Sequence, residues 1–117
     1  NQCQSCTKCI DACPAGALEQ PFLLDASRCL SYLTIEYKEV IAPETAAKMG
    51  RCFFGCDICQ EVCPFNSQKP STEISLPSSG EIMDMDEGVF REKYGKSAFA
   101  RAGLSKIKSN IYAIKKE

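Results

Sequence analysis

CQSCTKCIDACP, residues 3–14, and CDICQEVCP, residues 56–64, are the two stretches of the sequence that decide the fold. In the first stretch, two residues separate Cys3 from Cys6 and Cys6 from Cys9. Three residues separate Cys9 from the fourth cysteine, Cys13, which directly precedes Pro14. This spacing is the bacterial signature of a cubane iron–sulfur cluster, and its fourth cysteine binds the other cluster in two-cluster proteins. The sequence therefore predicts two [4Fe-4S] clusters whose distal cysteines are exchanged.

The second run is one ligand short, because Phe53 stands where regular spacing would put a cysteine. Cys29 and Cys52 are the two candidates for this place. Cys52 would need a three-residue gap before Cys56 where the loop on a cube face normally has two, so the spacing slightly favours Cys29. Cys52 is then expected to be a buried free thiol beside two phenylalanines. The predicted ligand sets are Cys3, Cys6, Cys9 and Cys63 for one cluster and Cys13, Cys29, Cys56 and Cys59 for the other.

Eight cysteines can also form two zinc sites or a disulfide scaffold. Zinc ribbons use paired C-x2-C knuckles, which need neither a third cysteine two residues on nor a Cys-Pro after three. The chain has no histidine, which excludes Rieske clusters, His-ligated haem and zinc fingers of the mixed cysteine–histidine type. Its first 20 residues contain no apolar run of signal-peptide or membrane-span length, so a cytoplasmic, metal-binding chain with no membrane partner is expected.

The net charge of −1 conceals two oppositely charged parts. Residues 91–117 contain 8 basic and 2 acidic side chains, whereas the other 90 residues contain 6 basic and 13 acidic ones, which gives +6 and −7. This division indicates an acidic cofactor module followed by a basic contact surface. A solvated helix face with no partner is the alternative interpretation of the basic part.

The sequence divides into a cysteine module at 1–66, a Ser/Pro-rich linker loop at 67–80 and a basic helical segment at 81–117. We expect an α+β, bacterial-ferredoxin-like module, mostly helical with short strands, followed by a helical tail. Because the first ligand lies two residues from Asn1, we also expect the chain to be the C-terminal piece of a longer polypeptide.

Local patterns predict the individual elements. A short strand is expected at 22–25. Leu30, Leu33 and Tyr37 share one helical face and predict a helix at 29–37. Pro43 suits the first turn of a helix that ends at Gly50. The remaining predicted helices are 57–63, 97–102 and an amphipathic one marked by the stripe Leu104, Ile107, Ile111 and Ile114.

The sequence around the predicted ligands identifies a protein family more specifically than the spacing of the ligands does. It reads CTKCIDACPAGA at 6–17, LDASRCLSYLTIE at 24–36 and FGCDICQEVCPFN at 54–66. These strings closely resemble the iron–sulfur domain of the epoxyqueuosine reductase family, and the tail resembles it more loosely. Gln4 departs from the pattern, since the family usually has glycine there.

The resemblance implies a function for the whole protein. In this family, two cubane clusters pass electrons, one at a time, to a cobalamin held between this domain and an N-terminal domain. Reduced cobalt then removes the epoxide oxygen of epoxyqueuosine at the tRNA wobble position, which gives queuosine. The N-terminal domain, with most of the cobalamin pocket and the acidic proton donor, is absent from this chain, so the fragment alone is expected to be inactive. The family pattern also supports Cys29 as the eighth ligand.

Further site residues follow from the resemblance and from charge. Ser31, Cys56 and Asp57 are expected to face the cobalamin, although Asp57 is equally suited to capping a helix. Tyr32, Leu33 and Ile35 are expected to belong to the core. The expected tRNA contacts are Lys38, Arg101, Lys106 and Lys108.

Three functions compete at this point. The first is the tRNA-acting reductase module, with tRNA, the upstream domain and an unidentified electron donor as partners. The second is an electron-transfer module of ferredoxin type, alone or in another reductase that depends on cobalamin. The third is a purely structural metal module.

Overall fold

A computed structural model describes residues 3–66 and 77–115 of the chain. Within these residues the protein is mainly helical, with one small antiparallel sheet. The helices are α1 (Lys8–Ala12), α2 (Leu30–Ile35), α3 (Pro43–Ala46), α4 (Ile58–Glu61), α5 (Ser79–Met83), α6 (Glu87–Tyr94), α7 (Phe99–Ala102) and α8 (Leu104–Lys115), and the strands are β1 (Leu18–Gln20) and β2 (Leu23–Leu24). Short 3-10 turns occupy Ala26–Arg28 and Pro64–Asn66.

The sheet is a hairpin that follows the first cysteine run. Leu18 pairs with Leu24 and Gln20 with Leu23, with an irregularity in register between the two pairs. Phe22 at the turn adopts a left-handed backbone with φ of 66°, and its side chain is 80% exposed. The strand expected at 22–25 is therefore present, but it is only two residues long.

Three helices begin at residue types that favour a helix start. Asp86 accepts the Val89 N–H at 2.8 Å before α6, and Ser78 accepts the Glu81 N–H at 3.2 Å before α5. Pro43 occupies the first turn of α3, as expected, but the regular helix ends at Ala46 rather than at Gly50. The sequence thus predicts helix starts better than helix ends.

The long helix α8 is the centre of the packing, since it contacts α2, α3, α5 and α7. Two apolar clusters flank it. The first contains Ile82, Met85, Phe90, Leu104, Ile107 and Ile111. The second contains Ala15, Leu30, Ile41, Ala46 and Met49, with Ile114 packed against it. The predicted apolar stripe of α8 therefore faces the core, and it joins the tail directly to the cysteine module.

Two expectations need correction. Tyr32 was expected in the core, but it is 38% exposed and lies beside Tyr37, with 6.3 Å between the ring centres. Residues 67–76 of the expected linker lie outside the described residues, and its last residues already belong to α5, which begins at Ser79. No helix in the described part of the chain is long and apolar enough to cross a membrane.

Candidate functional site

The two cysteine runs form matching structures that face each other. Cys9 is the second residue of α1, and Cys59 is the second residue of α4. Cys13 and Cys63 each follow four residues later, just beyond the end of their helix. Because α1 packs against α4, the two halves of the expected site are brought together.

Four of the predicted ligands interact electrostatically. Burial raises the pKa of the Cys59 thiol, and the neighbouring thiolates of Cys56, Cys29 and Cys13 raise it further. Like charges that are crowded in this way repel one another, and a positively charged iron core would relieve the repulsion. Cys13, from the first run, is thus near enough to influence Cys59 in the second run, and the assignment of these four cysteines to one cluster stays a prediction. The donor set fits a [4Fe-4S] group.

The Cys13 sulfur lies among backbone N–H groups. The Ala17 N–H donates to Cys13 Sγ at 3.3 Å. Burial pushes the pKa of Cys13 upward, but the N–H groups of residues 15–18 outweigh it, and the pKa is lowered overall. Amides that stabilise a thiolate also suit the sulfur of a cluster ligand, whose hydrogen bonds help to set the potential.

The backbone around Cys56 is held by two hydroxyl groups on α2. The Ser31 hydroxyl accepts the Cys56 N–H at 3.0 Å and donates to the Cys56 carbonyl at 3.1 Å. The Thr34 hydroxyl accepts the Gly55 N–H at 2.9 Å and donates to the Leu30 carbonyl at 2.7 Å. Ser31 therefore positions a ligand loop, and its contact with cobalamin stays a prediction.

Asn110 on α8 connects to the same loop, and sequence reasoning missed it. Its side-chain amide donates to the Thr34 carbonyl at 2.8 Å and to the Phe53 carbonyl at 2.9 Å. Both Asn110 and Thr34 are fully buried. The signal that could have revealed Asn110 is a polar side chain placed between Ile107 and Ile111 on the apolar face of a helix.

Cys52 is half-buried rather than buried as expected. Burial raises the pKa of its thiol, and Cys56, whose side chain lies within hydrogen-bonding range, raises it further. Cys52 therefore lies beside one predicted ligand, whereas Cys29 lies near Cys59. The choice of Cys29 as the eighth ligand stays a prediction.

A groove of about 680 Å³ opens beside Cys56 and Asp57. Phe54 and Phe99 form part of its wall, with 4.7 Å between their ring centres. Asp57 is exposed and precedes α4, where its carbonyl accepts the Glu61 N–H at 2.8 Å; within the described residues its carboxylate makes no capping bond. The Asp57 carboxylate is therefore not used as a helix cap.

The remaining predicted ligands are Cys3, Cys6, Cys9 and Cys63, and their convergence on one cluster stays a prediction. Cys3 is exposed, and the Cys6 N–H donates to the Cys3 carbonyl at 2.8 Å in a tight turn. Gln4 in this turn has φ of 47°, the left-handed region that favours glycine, which explains why glycine suits this position. In 3–66 and 77–115 no three cysteine or carboxylate groups converge closely enough to hold a single metal ion.

The four basic residues assigned to tRNA differ in their availability. Lys38 is exposed. Arg101 is exposed but forms an ion pair with Glu36. Lys106 is only 8% exposed and donates to the Glu39 carbonyl, and Lys108 donates to the Met85 carbonyl at 2.6 Å. Three of the four cations are thus engaged within the protein.

Comparisons with known proteins identify the family of the chain. A family model described as a 4Fe-4S double cluster binding domain matches residues 2–66. The chain is 45% identical to an epoxyqueuosine reductase from Leadbetterella byssophila over 97% of its own length. It also resembles a solved epoxyqueuosine reductase from Bacillus subtilis, with 37% identity, a TM-score of 0.85 and coverage of 97% of this chain and 33% of that one.

A further solved structure, of epoxyqueuosine reductase with an epoxyqueuosine-modified tRNA-Tyr stem loop, is 38% identical with a TM-score of 0.84, over 96% of this chain and 32% of that one. The chain spans between 30% and 40% of the length of the curated relatives that it matches, for example 39% of the Leadbetterella protein. The resemblance seen in the cysteine-rich strings is confirmed, and it extends into the tail.

Proposed function

The chain belongs to the family of 4Fe-4S double cluster binding domains, and from this premise we propose that it is the electron-transfer part of an epoxyqueuosine reductase. In this proposal its eight ligand cysteines hold two [4Fe-4S] clusters that supply electrons to a cobalamin, which serves the conversion of epoxyqueuosine to queuosine in tRNA. Similarity to such reductases over nearly the whole chain supports the assignment.

The observation that carries the proposal is the packing of α1 against α4, which brings the two cysteine runs of a 4Fe-4S double cluster binding domain together. A bound [4Fe-4S] cluster accepts and donates one electron at a time. The protein's own contribution is to hold the cysteines close together and to direct backbone N–H groups towards the Cys13 sulfur. The hydroxyl groups of Ser31 and Thr34 fix the loop that carries Cys56.

The cobalamin is proposed to approach the groove beside Cys56 and Asp57. The groove adjoins a predicted cluster ligand, which keeps the path for the electron short. Its wall combines aromatic rings with Asp57, whose carboxylate makes no helix-capping bond, and such a mixture is typical of cofactor sites. Ser31 lies directly behind Cys56, so we infer that it acts on this site by holding the ligand.

The tRNA is proposed to contact Lys38, with Arg101 available when its ion pair with Glu36 opens. Lys38 is exposed and follows α2, the helix whose residues hold the Cys56 loop. Exposed cations attract phosphates and release counterions, which makes such binding dependent on salt. Lys106 and Lys108 contribute mainly through their bonds to Glu39 and Met85.

Two experiments test the proposal. Anaerobic reconstitution of the chain is expected to yield about eight iron and eight sulfide per chain. Stoichiometric zinc without acid-labile sulfide would contradict the cluster assignment. In the second experiment this chain replaces the matching region of the Bacillus subtilis reductase, and queuosine in tRNA is measured.

In the second experiment, restored queuosine formation supports the reductase. Loaded clusters with no queuosine formation would favour an electron carrier or a part of another reductase. If the chimera that carries the unchanged chain forms queuosine and the same chimera with Cys29→Ser does not, the reaction depends on the predicted ligand set.

A further inference from the structure

The side chain of Asn110 is completely buried, and both of its donors are used on backbone groups of other segments. One N–H bonds to Thr34 on α2 and the other to Phe53, three residues before Cys56. Among the described residues its Oδ1 is a buried acceptor without a partner. An unpaired buried acceptor is unfavourable, and an apolar residue here would remove it but would leave the Thr34 and Phe53 carbonyls without this donor.

The Asn110 contacts continue towards the predicted cluster ligand. The Thr34 hydroxyl binds the Gly55 N–H, and the neighbouring Ser31 hydroxyl binds both backbone groups of Cys56. Gly55 has φ of 76°, a left-handed conformation that glycine adopts readily. The segment from Phe53 to Cys56 is therefore held at its start by α8 and at its end by α2.

We propose that Asn110 is a positioning residue for the cluster bound by Cys13, Cys29, Cys56 and Cys59. This inference rests on the proposed function, because it presumes that the four thiolates hold a cluster. It extends the cluster site beyond residues 2–66, the part matched by the family model, into the last helix.

The physical consequence concerns hydrogen bonds to sulfur. While the hydroxyl groups of Ser31 and Thr34 engage the N–H groups of Cys56 and Gly55, these N–H groups are not donated to a cluster. Donors aimed at cluster sulfurs stabilise the more negative reduced state and raise the potential. A loosened segment releases these N–H groups, so the potential of this cluster is expected to rise.

The test uses the reconstituted chain with the substitutions Asn110→Ala and Thr34→Val, each made separately. Thr34→Val retains the shape of the side chain and the carbonyl that Asn110 binds, and removes the hydroxyl bond to the Gly55 N–H, so it tests the next contact between Asn110 and Cys56. Asn110→Leu, which is similar in size and lacks both amide donors, replaces Asn110→Ala if that variant folds poorly. Ser105→Ala, at an exposed position on the same helix, is the matched control. Iron content, the electron paramagnetic resonance of each reduced cluster and their midpoint potentials are measured.

Both variants are expected to raise the potential of one cluster, or to lose that cluster alone with a fall from about eight to about four iron per chain, while the other cluster stays unchanged. The Ser105→Ala protein should match the wild type. Equal effects on both clusters, or none on either, would overturn the positioning role. Absence of clusters from the wild type would instead contradict the proposed function.

Discussion

Lys106 places its ammonium group 5.2 Å from the centre of the Tyr37 ring, and the same group donates to the Glu39 carbonyl at 2.9 Å. The ring face and the carbonyl oxygen both favour a cation. This contact fastens α8 to the segment that follows α2. A lysine counted with the basic surface is therefore part of the packing between the tail and the cysteine module.

The first prediction concerns the pH dependence of stability. Burial lowers the pKa of Lys106, and Lys38 lowers it further. In the alkaline range below the ordinary lysine pKa of about 10.4, the unfolded chain therefore binds more protons at this site than the folded chain. Stability rises with pH under that condition, so the wild type should gain stability relative to Lys106→Met as the pH increases.

Denaturant midpoints of both proteins at several values between neutral and alkaline pH measure this difference. Near neutral pH the two should agree within about 1 kcal/mol, since replacing a buried charge with an apolar side chain is often close to neutral. A difference that is constant with pH would show that Lys106 has the same pKa in both states.

The second prediction concerns the backbone beside Cys56. Gly55→Ala adds a Cβ at φ of 76°, where an L-residue costs roughly 1–2 kcal/mol. The substitution should lower the denaturant midpoint and speed the loss of cluster absorbance. Gly80→Ala within α5 is the control, because the added Cβ meets only the Ser78 hydroxyl at 3.9 Å. The control should gain about 0.5–1 kcal/mol; equal behaviour of the two variants would contradict the strain argument.

The third prediction separates the two candidates for the eighth ligand. Cys29→Ser is expected to reduce the reconstituted iron content from about eight to about four per chain. Cys52→Ser should leave it unchanged, because Cys52 is assigned no iron. Iron and acid-labile sulfide analysis measures both variants. The reverse result would assign the ligand role to Cys52, whose side chain already adjoins Cys56.

The fourth prediction concerns tRNA binding by the complete enzyme. Lys38→Ala should weaken binding and reduce the slope of log affinity against log salt by about one, as expected for the loss of one phosphate contact. Lys93→Ala on α6 removes the same charge from another exposed position and is the control. Affinity titrations at several salt concentrations measure the slopes. Equal slopes for wild type and Lys38→Ala would remove Lys38 from the interface.

The local parts of the site were predictable from sequence because they depend on short spacings. Cys9 and Cys59 occupy equivalent positions in α1 and α4, as the repeated motif requires. Leu104, Ile107 and Ile111 are buried along one face of α8, as their helical spacing indicates.

The parts that were missed depend on contacts between residues far apart in sequence. Lys106 reaches Glu39 across 67 positions, and Asn110 reaches Thr34 across 76. The sequence around a lysine or an asparagine in a helix does not indicate that its side chain will donate a hydrogen bond to a distant backbone carbonyl. Tyr32 was misplaced for a related reason: α2 has only six residues, and three apolar positions in so short a helix do not identify the buried face.

The most direct test of the account is a crystal structure of the anaerobically reconstituted chain, with anomalous scattering used to locate the iron. We expect two four-iron cubes, with Cys13 Sγ bound to the cube of Cys29, Cys56 and Cys59, and Cys63 bound to the other. Cys13 bound together with Cys3, Cys6 and Cys9, or single zinc ions in place of the cubes, would contradict it.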